Sequence, residues 1–110
     1  MLADVRRLSA ATDATLADVE EVLTDGYACV LGTEDERRRL RGRLQERAAK
    51  VSPAGSRAEA VEIKKLAQGI ARADSEIEDL RAALSVLAAK ASSLRAAAGT
   101  PIQAMPLRTA

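Results

Sequence analysis

The chain has 110 residues, room for one domain. It is 47% hydrophobic, but alanine and leucine supply most of that and Tyr27 is the only aromatic residue, which excludes a core built on large rings. Charged residues make up 30% and the formal net charge is +1, so bulk electrostatics select neither nucleic acid nor an acidic surface; any basic region is local.

The absence of histidine removes Ser–His and Cys–His catalysis and most zinc sites. Neither GxGxxG nor a GxxxxG completed by Lys-Ser/Thr occurs, so no phosphate loop is supported. These exclusions lead to the expectation of a non-enzyme with no cofactor, no metal and no small-molecule substrate. Cys29 is the single cysteine, which rules out an intrachain disulfide and favours a reducing compartment. The opening MLADVRRLSAATDATLAD carries no apolar signal region, and no apolar run approaches the ~18 residues of a membrane span. The expected location is the cytoplasm. The arginine- and alanine-heavy, lysine-poor usage is associated with a GC-rich bacterial source.

In chain order, residues 1–12 form a lead-in, a loose turn or two with Leu2, Val5 and Leu8 on one side. Thr12 or Asp13 then caps a long helix. Its seam is Leu16, Val19, Leu23, Gly26, Val30, Thr33, Arg37, Leu40, Leu44, Arg47 and Val51, at alternating spacings of three and four. Four of these positions lack an apolar side chain, so the frame persists while its filling weakens.

The stretch TDGYACVLGTEDERRRLRG, 24–42, admits two readings. In one, Asp25-Gly26 ends a helix and Thr33 with Glu36 forms a capping box for the next. In the other the helix runs through, bent near Gly26 or Gly32, each glycine costing about 1 kcal/mol relative to alanine. The unbroken frame favours continuity, as do Glu34 with Arg38 and Asp35 with Arg39, i,i+4 pairs in the favourable order.

The run ERRRLRGRLQER places Arg37, Arg38, Arg39, Arg41, Arg43 and Arg47 close together, with Lys50 beyond. Arginine forks suit phosphate or carboxylate, so Arg38, Arg39, Arg41 and Arg43 are candidate partner-binding residues; Lys64 and Lys65 widen the patch. Against that stands a solvated helix face neutralised by Glu34, Asp35, Glu36 and Glu46, with no ring in the run to stack on a base. The three consecutive acids point in different directions on a helix and do not converge on a metal. Cys29 reads as a small filler, because a reactive thiol needs a neighbouring cation or helix N-terminus. Tyr27 reads as a partner anchor or as cover for the helix edge.

VSPAGSR, 51–57, is a turn, placed at 52–56: Pro53 cannot continue a helix and Gly55 tolerates positive φ. Ser56 with Glu59 is a capping box for a second helix over 57–98. Its seam, Ile63, Leu66, Ile70, Ala73, Ile77, Leu80, Leu84, Leu87, Ala91, Leu94 and Ala98, alternates three and four without a slip, a coiled-coil pattern over five heptads. Gly99 and Pro101 stop it, and 99–110 are expected to be an extended or mobile tail that could dock as a linear peptide through IQAMPL.

A short turn between two long seamed helices makes an antiparallel hairpin over 13–98. Centring the turn on Gly55 pairs position i with 110 − i: Leu44 with Leu66, Leu40 with Ile70, Arg37 with Ala73, Val30 with Leu80, Gly26 with Leu84 and Leu23 with Leu87. Ala67, Ala71, Ala83, Val86, Ala88 and Ala97 flank one seam, and Val22, Ala28 and Leu31 the other; these flanks need cover. The expected fold is all-α, a coiled-coil-like hairpin dimerising into a four-helix bundle. The expected role is that of a scaffold, adaptor or assembly subunit acting on a second copy or a helical partner, with Arg38, Arg39, Arg41, Arg43, Tyr27 and Val86 as the candidate contacts. The alternative is a small nucleic-acid-associated accessory protein using the arginines of 37–47.

Overall fold

The computed structural model describes the backbone of residues 1–53 and 55–109 and the side chains of residues 1–53 and 55–99. Described residues form three helices and no strand: α1 (Leu2–Ala10), α2 (Leu16–Lys50) and α3 (Arg57–Thr109). They fall into two compact units. The first holds Met1–Ala28 and Leu80–Ala110; the second holds Cys29–Asp79.

In the first unit, the lead-in expected to be loose is a nine-residue helix. Leu2, Val5, Leu8 and Ser9 turn inward at helical spacing, and Val5 is fully buried. Arg7 pairs with Asp4 at 3.2 Å, and the Ser9 hydroxyl donates to the Val5 carbonyl at 2.9 Å. A helix this short is marginal alone, so tertiary contact holds it. Lys90 of α3 supplies part of that contact: its ammonium donates to the carbonyls of Leu8 (2.6 Å), Ser9 (3.4 Å) and Ala11. A helix C-terminus leaves carbonyls unpaired and carries partial negative charge, so one lysine satisfies both demands.

α2 starts at Leu16, and its cap is Thr15, not Thr12 or Asp13: the Asp18 amide donates to Thr15 Oγ1 at 3.2 Å. Thr15 is the residue immediately before the first helical turn, the position from which a hydroxyl reaches a free amide. The core of this unit is Val5, Val19, Leu23, Leu80, Leu84, Leu87 and Ala91. Gly26 meets Leu84: a Cβ on the glycine would lie 2.5 Å from Leu84 Cδ2. That is the expected pairing, and it gives Gly26 a steric purpose. Glu20 and Arg95 pair at 3.3 Å with the same antiparallel sense.

α2 is helical from Leu16 to Lys50, so the continuous reading of 24–42 holds. Thr33 caps nothing; its hydroxyl donates to the Cys29 carbonyl at 3.0 Å, inside the helix. In the second unit the buried seam is Val30, Leu66, Ala73 and Ile77. A Cβ on Gly69 would lie 3.3 Å from Leu40 Cδ1, and Arg37 reaches Asp74 at 2.9 Å. Both contacts lie one residue from the expected partners, Ile70 and Ala73. All seven buried residues of α3 belong to the seam read from the sequence.

The turn lies between Lys50 and Arg57, with the Gly55 amide donating to the Ser52 carbonyl at 2.9 Å. No described glycine has positive φ. Space at Gly55 is tight: a Cβ there would meet Glu59 Oε2 at 3.1 Å, Ser52 O at 3.2 Å and Val51 Cγ1 at 3.3 Å, so a side chain would require these neighbours to shift by a few tenths of an ångström. The Glu59 amide donates to Ser56 Oγ at 3.2 Å, half of the expected capping box. The helix end expected at Ala98 is displaced: α3 runs through Gly99, Pro101 and Pro106 to Thr109, so 99–109 is not extended. Gly99 lacks the left-handed conformation that stops a helix, and a proline's φ of about −65° is compatible with one, at the cost of an undonated hydrogen bond. The side-chain docking expected of IQAMPL falls outside the described side chains.

Candidate interaction surface

The arginine run folds differently from a free stripe. Arg37, at a seam position, is half-buried and reaches Asp74 of α3 at 2.9 Å, with Glu34 at 3.9 Å. Arg38 pairs with Asp35 at 2.9 Å and Arg39 with Glu36 at 2.6 Å. These are i,i+3 pairs, so the Asp35–Arg39 pairing expected at i,i+4 is replaced. The acid three positions earlier lies on the same helix face and is equally within reach. Arg41 lies 3.7 Å from Asp74, and Arg47 pairs with Glu62 at 3.1 Å. Exposed pairs of this kind contribute about 0–1 kcal/mol, so they add little stability. Their effect is to neutralise three of the four arginines singled out.

Arg43 differs. It makes no ion pair among the described residues, and it lines a groove of about 730 Å3 in the second unit. Arg57 and Lys65, also without ion pairs, line the same groove, as do the apolar Ala58, Val61 and Leu66. Arg57, Val61 and Lys65 recur every four residues and so share one face of α3. Glu62 is the one acid lining the groove, and it is engaged by Arg47. The basic surface thus assembles from α2 and α3 together. Lys65 joins Arg43 as the sequence suggested; Arg57 and Val61 were missed, although their spacing with Lys65 was legible.

The remaining candidates lie in the first unit. Tyr27 is 49% exposed and Val86 is 61% exposed. The candidate residues therefore divide between the two units. Leu31, in the second unit, is 64% exposed, the most open of the large apolar side chains among the described residues. Cys29 is exposed, not the partly buried filler expected. It lines a second groove of about 530 Å3 with Gly32 and Gly69. Position 29 turns outward because Gly26 and Val30 occupy the inward positions on either side of it.

Among the described residues no group of three His, Cys, Asp or Glu side chains is placed to hold a metal ion. Among the described residues no helix is long and apolar enough to cross a membrane. Comparisons with protein-family models, with curated proteins and with solved structures give no match.

Proposed function

We propose that the protein is a non-enzymatic interaction or assembly subunit that works through helix–helix contacts and pairs with a second copy as a coiled-coil-like four-helix bundle. The observation behind this reading is the contrast between closed seams and open flanks. The α2 and α3 seams bury Leu23, Leu66, Leu80, Leu84 and Leu87, yet Leu31 and Val86 stay more than half exposed. Apolar flanks beside a filled seam are what a bundle interface covers. A single exposed cysteine suits a reducing compartment such as the cytoplasm. Sedimentation equilibrium at micromolar concentration tests the pairing: a mass of twice 11.6 kDa is expected, and a species of 11.6 kDa at every concentration overturns it.

A second reading rests on the unpaired cations Arg43, Arg57 and Lys65. In it the protein is a nucleic-acid-associated accessory that contacts phosphates. It is weaker because the groove offers no aromatic side chain for a base to stack on. A gel-shift assay at low salt separates the readings. Retardation of DNA or RNA by the wild type and not by Arg43→Glu favours the second; no retardation by the wild type ends it.

A further inference from the structure

Charge is unevenly distributed along the chain. Residues 41–72 hold eight Lys/Arg and three Asp/Glu, a net of +5, while residues 1–28 hold two Lys/Arg and six Asp/Glu, a net of −4. Three of those eight cations, Arg43, Arg57 and Lys65, line one groove beside the apolar Ala58, Val61 and Leu66, and none of the three makes an ion pair among the described residues. The negative excess has an equally specific placement. Asp18, Glu21 and Asp25 recur at three and four positions on α2, so they share one face; all three are exposed and none makes an ion pair among the described residues. Ala28, one turn beyond Asp25, extends that face with a small side chain that lets another helix approach closely.

The two stripes match in number and length. Three carboxylates span seven residues, about 10 Å of helix; Arg57 to Lys65 spans eight, about 12 Å, with Arg43 contributed from α2. We propose that the basic groove of one copy receives the Asp18–Glu21–Asp25 face of a second copy. In a two-fold pair the contact is reciprocal, because a patch that contacts another is contacted by it in return. Each copy then offers one acidic stripe and one basic groove, and six unpaired charges per chain find partners. Opposed stripes also select partner and register, because like charges facing each other are unfavourable.

The inference rests on the self-pairing proposed above, and charge exchange tests it separately. Two variants are made, Arg43→Glu/Arg57→Glu/Lys65→Glu and Asp18→Lys/Glu21→Lys/Asp25→Lys. Every altered side chain is exposed, and circular dichroism checks that each variant remains helical. Sedimentation at 50 mM salt is expected to show each variant pairing with itself at least about 10-fold more weakly than the wild type. An equimolar mixture is expected to recover the wild-type affinity, since both contacts in the mixed pair are again between opposite charges. A chain carrying all six changes is expected to recover it alone. If the wild type pairs and neither reversal weakens it, or if the mixture stays monomeric, the groove assignment is overturned while self-pairing stands. If the wild type is monomeric throughout, both fail; retardation of a short DNA duplex by that monomer then assigns the groove to phosphate. A mass that grows beyond a dimer with concentration overturns the reciprocal contact in favour of a head-to-tail one.

Discussion

The two units are built from the same pair of helices and the same heptad frame, yet they close in different ways. The first unit is a three-helix cluster in which Val5, Val19, Leu84, Leu87 and Ala91 are fully buried and Gly26 makes room for Leu84. The second has two helical segments, no fully buried large side chain, and an arginine in its seam balanced by Asp74 and Glu34. The difference teaches that the frame specifies direction only. Whether a seam position is dry depends on a third element, here α1, and on how small the facing residue is. Two helices leave the sides of each seam side chain open, so long charged residues can lie there with their heads in water.

Large-to-small substitution breaks that comparison most directly. Leu84→Ala is expected to cost about 3–4 kcal/mol in urea unfolding, because a closed site collapses poorly around a cavity; Leu66→Ala is expected to cost about 2, because Leu66, though buried, borders the groove and water can enter the space left behind. Equal costs would mean the second unit is as tightly packed as the first. The glycines of α2 sharpen the point. Gly26→Ala and Gly32→Ala gain the same helix propensity, about 1 kcal/mol. A Cβ at 26 strikes Leu84, whereas one at 32 meets nothing within 4 Å. The expected outcome is stabilisation by Gly32→Ala and destabilisation by Gly26→Ala, with a gap of about 2 kcal/mol in thermal or urea melts.

Next comes the Lys90 contact with α1. Lys90→Met is expected to cost about 1–2 kcal/mol and to raise amide exchange across Leu2–Ala10 more than elsewhere, since it frees three carbonyls at the end of that helix. Uniform exchange changes would show that α1 does not depend on the lysine. Smallest is Arg37→Leu, which returns an apolar residue to the seam of the second unit. A half-exposed ion pair contributes little, so the melt is expected to shift by less than about 1 kcal/mol in either direction. A loss of several kcal/mol would place Arg37 among the main supports of that unit.

Much of the fold is legible in the sequence. The α3 seam, continuity of α2 across Gly26 and Gly32, the turn between Lys50 and Arg57 and the facing of Gly26 and Leu84 all follow from spacing, because a helix repeats every 3.6 residues and an antiparallel turn fixes which numbers meet. The cap of α2 was misplaced by two or three residues, since Thr12, Asp13 and Thr15 offer similar chemistry and only the backbone path selects one. The candidate surface was half legible. Arg43 and Lys65 were marked by composition, but nothing in the run distinguishes Arg43 from Arg38 or Arg39 until the neighbouring acids are placed.

The sequence by itself determined that this chain is helical, where its long helices turn and which stripe of each faces inward, because those properties depend on periodicity and local stereochemistry. Tertiary structure alone decided which arginines are neutralised, that Lys90 closes the end of α1, and that Arg57 and Val61 join Arg43 in one groove. These depend on distances between residues as many as 82 positions apart along the chain, and no local pattern encodes such distances.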